Sequence, residues 1–480
     1  VNGGGITAPL RAHGSGTLLV AGGVSGLVGA LLGSLPAAYL PFFSASVLLA
    51  LLSLCVFWRA EVLAYFVVLS AALSGLLRAL DDTQLGGTTL SVSGLRWGHL
   101  LLLILLVALA HVRHVRVPRW SLPLLAVPAW TMVVLAVYRG GTSGLKDVLF
   151  HLLPFCMLVY GLMLKRVTPP VATARIENLV LASVLVPVAL YLVLIPLGLV
   201  QFTETGPQGL LGPRAVAIYL LVPEAAGLAA WRYARDARRR LVGSVAAAIA
   251  FGTIVFTLSR TATLLGLLLL GLSRLEPRRR VRSLALGAAV AGLALAALLL
   301  VPQFRERSFF RSNLDYFGAA ESFNTAGRNQ MWPLAYGRGL ERPLIGWGPG
   351  SCRRLMGELL VQLDVVEYHP HNEYLQTFHD SGLIGLALLV GAWGLLLRRQ
   401  LSRWRSADLA GDEEGCRRAL AALLALTALV LSALTDNTFH YAFVTLPVVL
   451  LVALAESPGA GARKHAAVRP TGRAPEENRC

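Results

Sequence analysis

The chain has 480 residues, of which 55% are hydrophobic and only 14% charged, and its formal net charge is +17. A mean hydropathy of +0.64, together with about fourteen runs of roughly 16–23 nearly charge-free residues, meets the length criterion for repeated membrane-spanning helices and excludes a soluble α/β domain. The basic excess sits in short loops such as Arg232–Arg240 and Arg278–Arg282, which excludes a nucleic-acid reading and carries the positive-inside signature instead.

In chain order, a short tail (1–16) precedes candidate spans at Thr17–Ser34 and Tyr39–Phe57, with Pro36 and Pro41 breaking the helix between them. The first run has no evident cleavage site and further spans follow closely, so it reads as a retained helix rather than a signal. Val1 in place of Met suggests an alternative start codon or a trimmed chain. Spans at Val62–Leu77, His99–Val112, Ser121–Tyr138 and Lys146–Leu164 follow, with basic turns at Arg59, Arg113–Arg119 and Lys165–Arg166. The alternation continues through Asn178–Val200, Arg214–Trp231, Val242–Leu258, Ala262–Leu272 and Ser283–Val301.

The long polar segment 302–381 is read as an external loop. Spans at Gly382–Leu397, Ala419–Leu434 and Tyr441–Ala455 close the second helical region (382–455), the last two joined by Thr435-Asp436-Asn437; residues 456–480 form a basic tail expected to be disordered. Placing about 29 of the 43 basic residues on the inner side puts both termini in the cytoplasm. The expected fold is an all-α polytopic bundle of about 12–14 transmembrane helices with one large external loop containing short helices. Cys55 and Cys156 lie in apolar runs, and Cys352, Cys416 and Cys480 have no ligand spacing, so neither a disulfide framework nor a zinc site is expected.

Few residues could carry chemistry. Arg260 stands where two apolar runs meet, in Ser259-Arg260-Thr261; a charge at membrane depth faces a cavity, a partner or a ligand, or else snorkels from an interfacial turn. Arg328 opens an amphipathic stretch to Leu340, with Trp332 one turn along on nearly the same face. A guanidinium matches phosphate oxygens with a planar fork of donors and stays charged at any working pH. Arg214, Arg338, Arg342, Arg353 and Arg354 are weaker candidates of the same kind.

Pro343-Leu344-Ile345-Gly346-Trp347-Gly348-Pro349-Gly350 lacks the Lys-Ser/Thr pair of a P-loop and reads as a backbone bend. His369 and His371 flank Pro370, and either imidazole could take a proton from a hydroxyl near neutral pH. A metal would need further ligands in a recognised pattern, which Glu373, His379 and Asp380 do not supply. The plainer role for His371 is to cap the helix that begins near Asn372.

The ordered set Ser259-Arg260-Thr261, Gly327-Arg328 with Trp332, Arg342–Gly348, and His371-Asn372-Glu373-Tyr374-Leu375-Gln376 with Gly382-Leu383-Ile384-Gly385 resembles the O-antigen ligase and polymerase superfamily. The likeness spans roughly Val242 to Ala455, with a weak echo at Gly212–Leu221; Thr261 stands where the family often has Gly. The resemblance implies a GT-C-type glycosyltransferase of the bacterial cytoplasmic membrane that needs no metal or cofactor. Its active site would face the periplasm, and its donor would be an undecaprenyl-diphosphate-linked glycan.

By position the resemblance makes Arg260 and Arg328 the diphosphate ligands and His371 the catalytic residue. Arg214, Trp332, Arg342, Gly346, Gly348, His369 and Asn372 would support them. Transfer would be inverting, with His371 activating the acceptor hydroxyl and the arginines stabilising the departing diphosphate. The acceptor could be lipid A-core (a ligase), another lipid-linked repeat (a polymerase) or a protein; the motif set looks closest to a ligase. Two other classes stay open, a transporter whose arginines bind an anionic solute and a non-catalytic assembly subunit.

Overall fold

The structure, a computed structural model, describes residues 59–74, 117–138, 142–203, 206–209, 211–275, 328–361 and 369–456, with scattered positions between 101 and 115 and between 285 and 302. The spans expected at 17–34 and 39–57 and the tail beyond 456 lie outside the described residues, as do 303–327 and 362–368.

The apolar runs form helices, the one open-ended conformation that satisfies every backbone N–H and C=O within its own segment in lipid. They are α1 (Glu61–Ala72), α2 (Leu122–Val137), α3 (Thr142–Val167), α4 (Pro170–Ala182), α5 (Leu185–Leu194), α6 (Pro213–Tyr233), α7 (Ala237–Phe256) and α8 (Arg260–Ser273). After these come α9 (Arg328–Leu340), α10 (Ser351–Val361), α11 (Glu373–Leu409), α12 (Glu413–Ser432) and α13 (Ala442–Ala455). Among the described residues, seven helical segments are long and apolar enough to cross a membrane, so the protein is a polytopic helical membrane protein.

Local chemistry sets the boundaries. Pro170 and Pro213 open α4 and α6, where a missing N–H costs nothing. Asp236, Asn372 and Asp412 cap α7, α11 and α12, each side chain accepting a backbone N–H of the first turn. The connection expected at 201–213 contains a small hairpin, β1 (Val200–Thr203) against β2 (Gly206–Gly209), with Val200 opposite Gly209.

Helix α6 is the hub, buried along nearly its whole length and packed by α7, α8, α12 and α4. Gly227 of α6 and Gly243 of α7 let those two backbones meet closely, the small-residue packing usual where lipid gives no hydrophobic drive between helices. Around this core, α3 lies against α13 and α2, and α11 against α12 and α2.

One end of the bundle is basic and cross-linked by ions. Glu177 of α4 accepts from Arg417 (2.5 Å) and Arg418 (2.7 Å) of α12 and from Arg239 of α7 (3.1 Å). Glu456, after α13, pairs with Arg399 (2.7 Å) and Arg403 (2.8 Å) of α11. Among the described residues, Arg239, Arg399, Arg403, Arg417 and Arg418 are thus gathered at one end.

The span expected to begin at Gly382 begins nine residues earlier. Helix α11 starts at Glu373 and is broken at Gly382, whose φ of 69° lies in the left-handed region. The Gly-rich turn docks on this break: Trp347 N and Gly348 N donate to His379 O and Asp380 O (both 2.9 Å), and Leu383 N donates to Pro343 O (2.7 Å). A side chain on Gly382 would collide with the carbonyl of Leu344. The stretch 343–350 is therefore a backbone bend fitted to a broken helix, as its spacing suggested.

Candidate active site

At the end of the bundle opposite the ion network, three chain reversals meet. The first is the turn from α7 into α8, where Leu258 takes a φ of 54° and Ser259 precedes the helix. This sets Arg260 at the first position of α8, where its charge adds to the positive end of the helix dipole. The second is the approach to α11, where His371 takes a φ of 51°. The third is the connection 433–441 between α12 and α13.

The connection from α12 to α13 holds the other two. Thr435 donates its hydroxyl to Thr261 Oγ1 (3.1 Å), beside Arg260. Its carbonyl accepts from Arg328 Nη2 (2.9 Å), at the start of α9. The start of α11 is stitched to the same region: Glu373 N donates to Ala433 O (2.9 Å), Tyr374 Oη to Val430 O (2.8 Å), and Asn437 Nδ2 to Gln376 Oε1. Most of the His371–Gln376 motif is thus spent on placing one residue.

That residue is His371, which is buried and faces Asp436. Its Nδ1 lies 3.2 Å from Asp436 Oδ1, an oxygen that also accepts from Tyr441 Oη (2.7 Å). Burial pushes the Asp436 carboxyl up, but the hydrogen bond from His371, the charge of Arg214 and the Tyr441 hydroxyl outweigh it and hold it well below the usual carboxylate range. An ionised carboxylate only accepts, so Nδ1 carries the hydrogen of this contact, and in the neutral ring the lone pair is then on Nε2. Arg214 Nη1 is 3.5 Å from both ring nitrogens, which places the guanidinium over the imidazole face, and Arg214 Nε is 3.7 Å from Asp436.

Other expected residues take supporting places. Asn372 caps α11 (Leu375 N to Oδ1, 3.0 Å), the role that the plainer reading gave to His371. Trp332 donates its indole N–H to Pro370 O (2.8 Å), tying α9 to the residue before His371. His369 lies 3.5 Å from Gln376 Oε1; burial, with the neighbouring charges of Arg353, His440 and His371, lowers its pKa to about 3, so it is a poor proton acceptor.

Three expected residues lie outside this cluster. Arg342 stacks on Trp347 (4.0 Å to the ring centroid) and Tyr138 (5.3 Å). Gly346 and Gly348 belong to the docked turn, and Gly346 O accepts from Tyr138 Oη (2.8 Å). Asp380 secures that turn, its carboxylate accepting from Gly350 N, Ser351 Oγ and Cys352 N (3.1, 2.8 and 2.7 Å) at the start of α10.

Two side-chain groups among the described residues could hold a cation, His151 with Glu373 and His440, and Cys352 with His379 and Asp380. Neither contains His369 or His371. His440 stands between Asp147 (3.2 Å) and Glu373 (2.6 Å), and Arg353 pairs with Asp147. The second group surrounds the carboxylate that starts α10.

Sequence reasoning passed over Asp436 and Tyr441. The available signal was a carboxylate in a three-residue polar link between two apolar helices, at the end that also carries His371.

Fold and site together define a multi-pass helical membrane protein with arginines and a carboxylate-bound histidine gathered at one end. Residues 245–390 match the family model described as O-antigen ligase, which supports the likeness to the O-antigen ligase and polymerase superfamily that the motifs carry, a family that implies a membrane glycosyltransferase-like enzyme. Arg260, Arg328 and His371 lie inside the match, whereas Arg214 and Asp436 lie outside it. No curated protein matches the chain.

Proposed function

We propose that the protein is a ligase-type glycosyltransferase that moves a glycan from an undecaprenyl-diphosphate donor to a hydroxyl of lipid A-core, with inversion and without a metal. The observation that carries this reading is the contact of His371 Nδ1 with Asp436 beside Arg214, Arg260 and Arg328. With Nδ1–H held by Asp436, Nε2 accepts the proton of the acceptor hydroxyl as its oxygen attacks the anomeric carbon. The bond from that carbon to the diphosphate breaks, and Arg260 and Arg328 stabilise the charge that develops on the leaving oxygens.

In this reading the basic end is cytoplasmic, with both termini, and the histidine end faces the periplasm across the bacterial cytoplasmic membrane. Segment 302–381 is then the extracytoplasmic part that carries the catalytic residues. What supports the sidedness is the gathering of Arg239, Arg399, Arg403, Arg417 and Arg418 at one end.

The test is transfer in liposomes from a purified undecaprenyl-diphosphate glycan to lipid A-core, to a second lipid-linked repeat or to a protein, with EDTA present. Wild type is compared with His371→Ala, Arg260→Ala and Arg328→Ala. Transfer to lipid A-core that is lost in all three variants is expected. Full activity in His371→Ala would remove the general-base role, and use of either other acceptor would make the protein a polymerase or a protein glycosyltransferase.

A further inference from the structure

A second cluster of polar side chains begins two residues past His371 and takes no part in the proposed transfer. It joins Glu373 at the start of α11, His151 of α3, and His440 in the link between α12 and α13. One ring nitrogen of each histidine and one oxygen of Glu373 lie within 4.8 Å of one another. Glu373 is wholly buried, and neither of its oxygens has a hydrogen-bond partner among the described residues. Burying a carboxylate in that state is costly unless a positive charge faces it.

The neighbours fix which nitrogens are free. Thr131 spends its hydroxyl hydrogen on Val127 O (2.9 Å), so towards His151 Nδ1 (3.4 Å) it can only accept. His151 Nδ1 therefore carries the hydrogen, and Nε2, buried and without a hydrogen-bond partner among the described residues, keeps the lone pair. His440 Nε2 lies 3.2 Å from Asp147 Oδ1, a carboxylate that Arg353 also meets. In the neutral ring the hydrogen is then on Nε2 and the lone pair on Nδ1. That Nδ1 is 2.6 Å from Glu373 Oε1 but lacks the alignment of a hydrogen bond. Two lone pairs so close repel, and a cation shared by both removes the conflict. Asp147 stands where a carboxylate stands behind a metal-bound imidazole, fixing its tautomer and its orientation.

We propose that His151 Nε2, Glu373 and His440 Nδ1 bind one buried divalent transition-metal ion. Two imidazoles with one carboxylate are a zinc donor set, whereas magnesium and calcium take oxygen ligands. An adjoining cavity of about 10 Å³, lined by Asp147, His151, Gln376 and His440 among others, has room for about one water as a fourth ligand. The group of Cys352, His379 and Asp380 fits less well, because Asp380 is already engaged by Gly350 N, Ser351 Oγ and Cys352 N. His440 precedes Tyr441, whose hydroxyl bonds Asp436. The ion would thus tie α3 to the two segments that carry His371 and Asp436. It would touch no reacting atom, so its role is to hold the site in shape while the proposed transfer itself uses no metal.

The test is made on the tag-free full chain in detergent, loaded with zinc and desalted. Metal analysis should find about one zinc per chain in wild type and next to none in Glu373→Gln or His151→Ala, while Cys352→Ser keeps its zinc. A wild type that holds no zinc, or zinc retained in both cluster variants, would overturn the inference. Stripping the wild type with 1,10-phenanthroline should lower Tm by several degrees, and zinc but not magnesium should restore it. An unchanged Tm would remove the structural role.

Should the variants not fold, X-ray absorption at the zinc edge of wild type decides the matter. Nitrogen and oxygen neighbours at about 2.0–2.1 Å with imidazole scattering support the cluster, and sulfur at about 2.3 Å would assign the ion to Cys352 and overturn it. None of these measurements involves transfer, so failure of the glycosyltransferase reading would leave the metal site standing, and the reverse.

Discussion

Asp436 Oδ1 lies 3.2 Å from His371 Nδ1, across 65 residues of sequence and one complete turn of the chain from α11 to α12. In the proposed reaction this contact sets which nitrogen of His371 faces the acceptor, and it depends on the link between α12 and α13 keeping its place.

Asp436→Asn keeps the shape and removes the charge. The amide can present either its oxygen or its NH2 to Nδ1, so the tautomer with a free Nε2 is no longer enforced. Transfer should fall by about 10²–10⁴ in kcat, the contribution of a positioned general base, the upper end matching the loss of about 10⁴ when a histidine's carboxylate partner becomes an amide in a hydrolytic triad, with little change in KM. The initial-rate transfer assay reads this, and a variant within about twofold of wild type would show that Asp436 is not needed to orient His371.

Gly382→Ala should destabilise the protein. Its φ of 69° is strained for any L-residue, and the new Cβ would collide with the backbone that docks the Gly-rich turn. Its backbone (φ 69°, ψ −170°) is a conformation that essentially only glycine adopts and costs another residue about 1–3 kcal/mol, and the collision adds to it. Thermal unfolding in detergent should show a Tm lower by several degrees, and an unchanged Tm would mean that the turn is not held by this break.

Acid should destabilise the protein in two windows. His369 has a native pKa of about 3 against an ordinary 6.5, so between those values the unfolded chain binds a proton that the native protein does not. Stability is then complete above about pH 6.5 and declines as pH falls towards 3. Asp436 also has a native pKa below its ordinary 3.8, so its contribution is present above that value and is lost as pH falls further. Tm should be flat above about pH 7 and fall from about 6.5 downward, and His369→Gln should flatten the fall between pH 6.5 and 4. An unchanged slope in that variant would assign the acid sensitivity to other groups.

Glu177→Ala removes the carboxylate shared by Arg239, Arg417 and Arg418 and leaves Arg417 buried. Arg417 keeps Glu414 (2.6 Å), so the cost should fall below the about 3–5 kcal/mol of a buried charge left wholly unpaired, and the yield of folded protein and its Tm should both drop. Transfer per folded molecule should persist, because this network lies at the end of the bundle away from His371. A loss of turnover in correctly folded variant would couple the two ends.

Much of this protein was legible in one dimension. Apolar runs bounded by Pro, Asp and Arg located α2, α3, α6, α7, α12 and α13 to within a few residues, because a helix in lipid must close its own hydrogen bonds. The ordered motifs Ser259–Thr261, Gly327-Arg328 and His371–Gln376 marked the polar end for the same physical reason: charge and amide groups at membrane depth need a cause. Which of two histidines could act as a base was not legible. His369 and His371 are two residues apart, and only their surroundings separate a neutral buried ring from one held by Asp436.

Gly346 and Gly348 illustrate the same divide. Their spacing announced a bend, and the break at Gly382 announced a helix start, but that each exists to fit the other is a statement about a contact between segments. Composition and hydropathy by themselves determined a multi-pass helical membrane protein with one polar, arginine- and histidine-bearing segment. Tertiary structure alone decided that Thr435 and Asp436 join Arg260, Arg328 and His371, because helices α11 and α12 return the chain to that point, and a contact made across two full spans leaves no periodicity in the sequence.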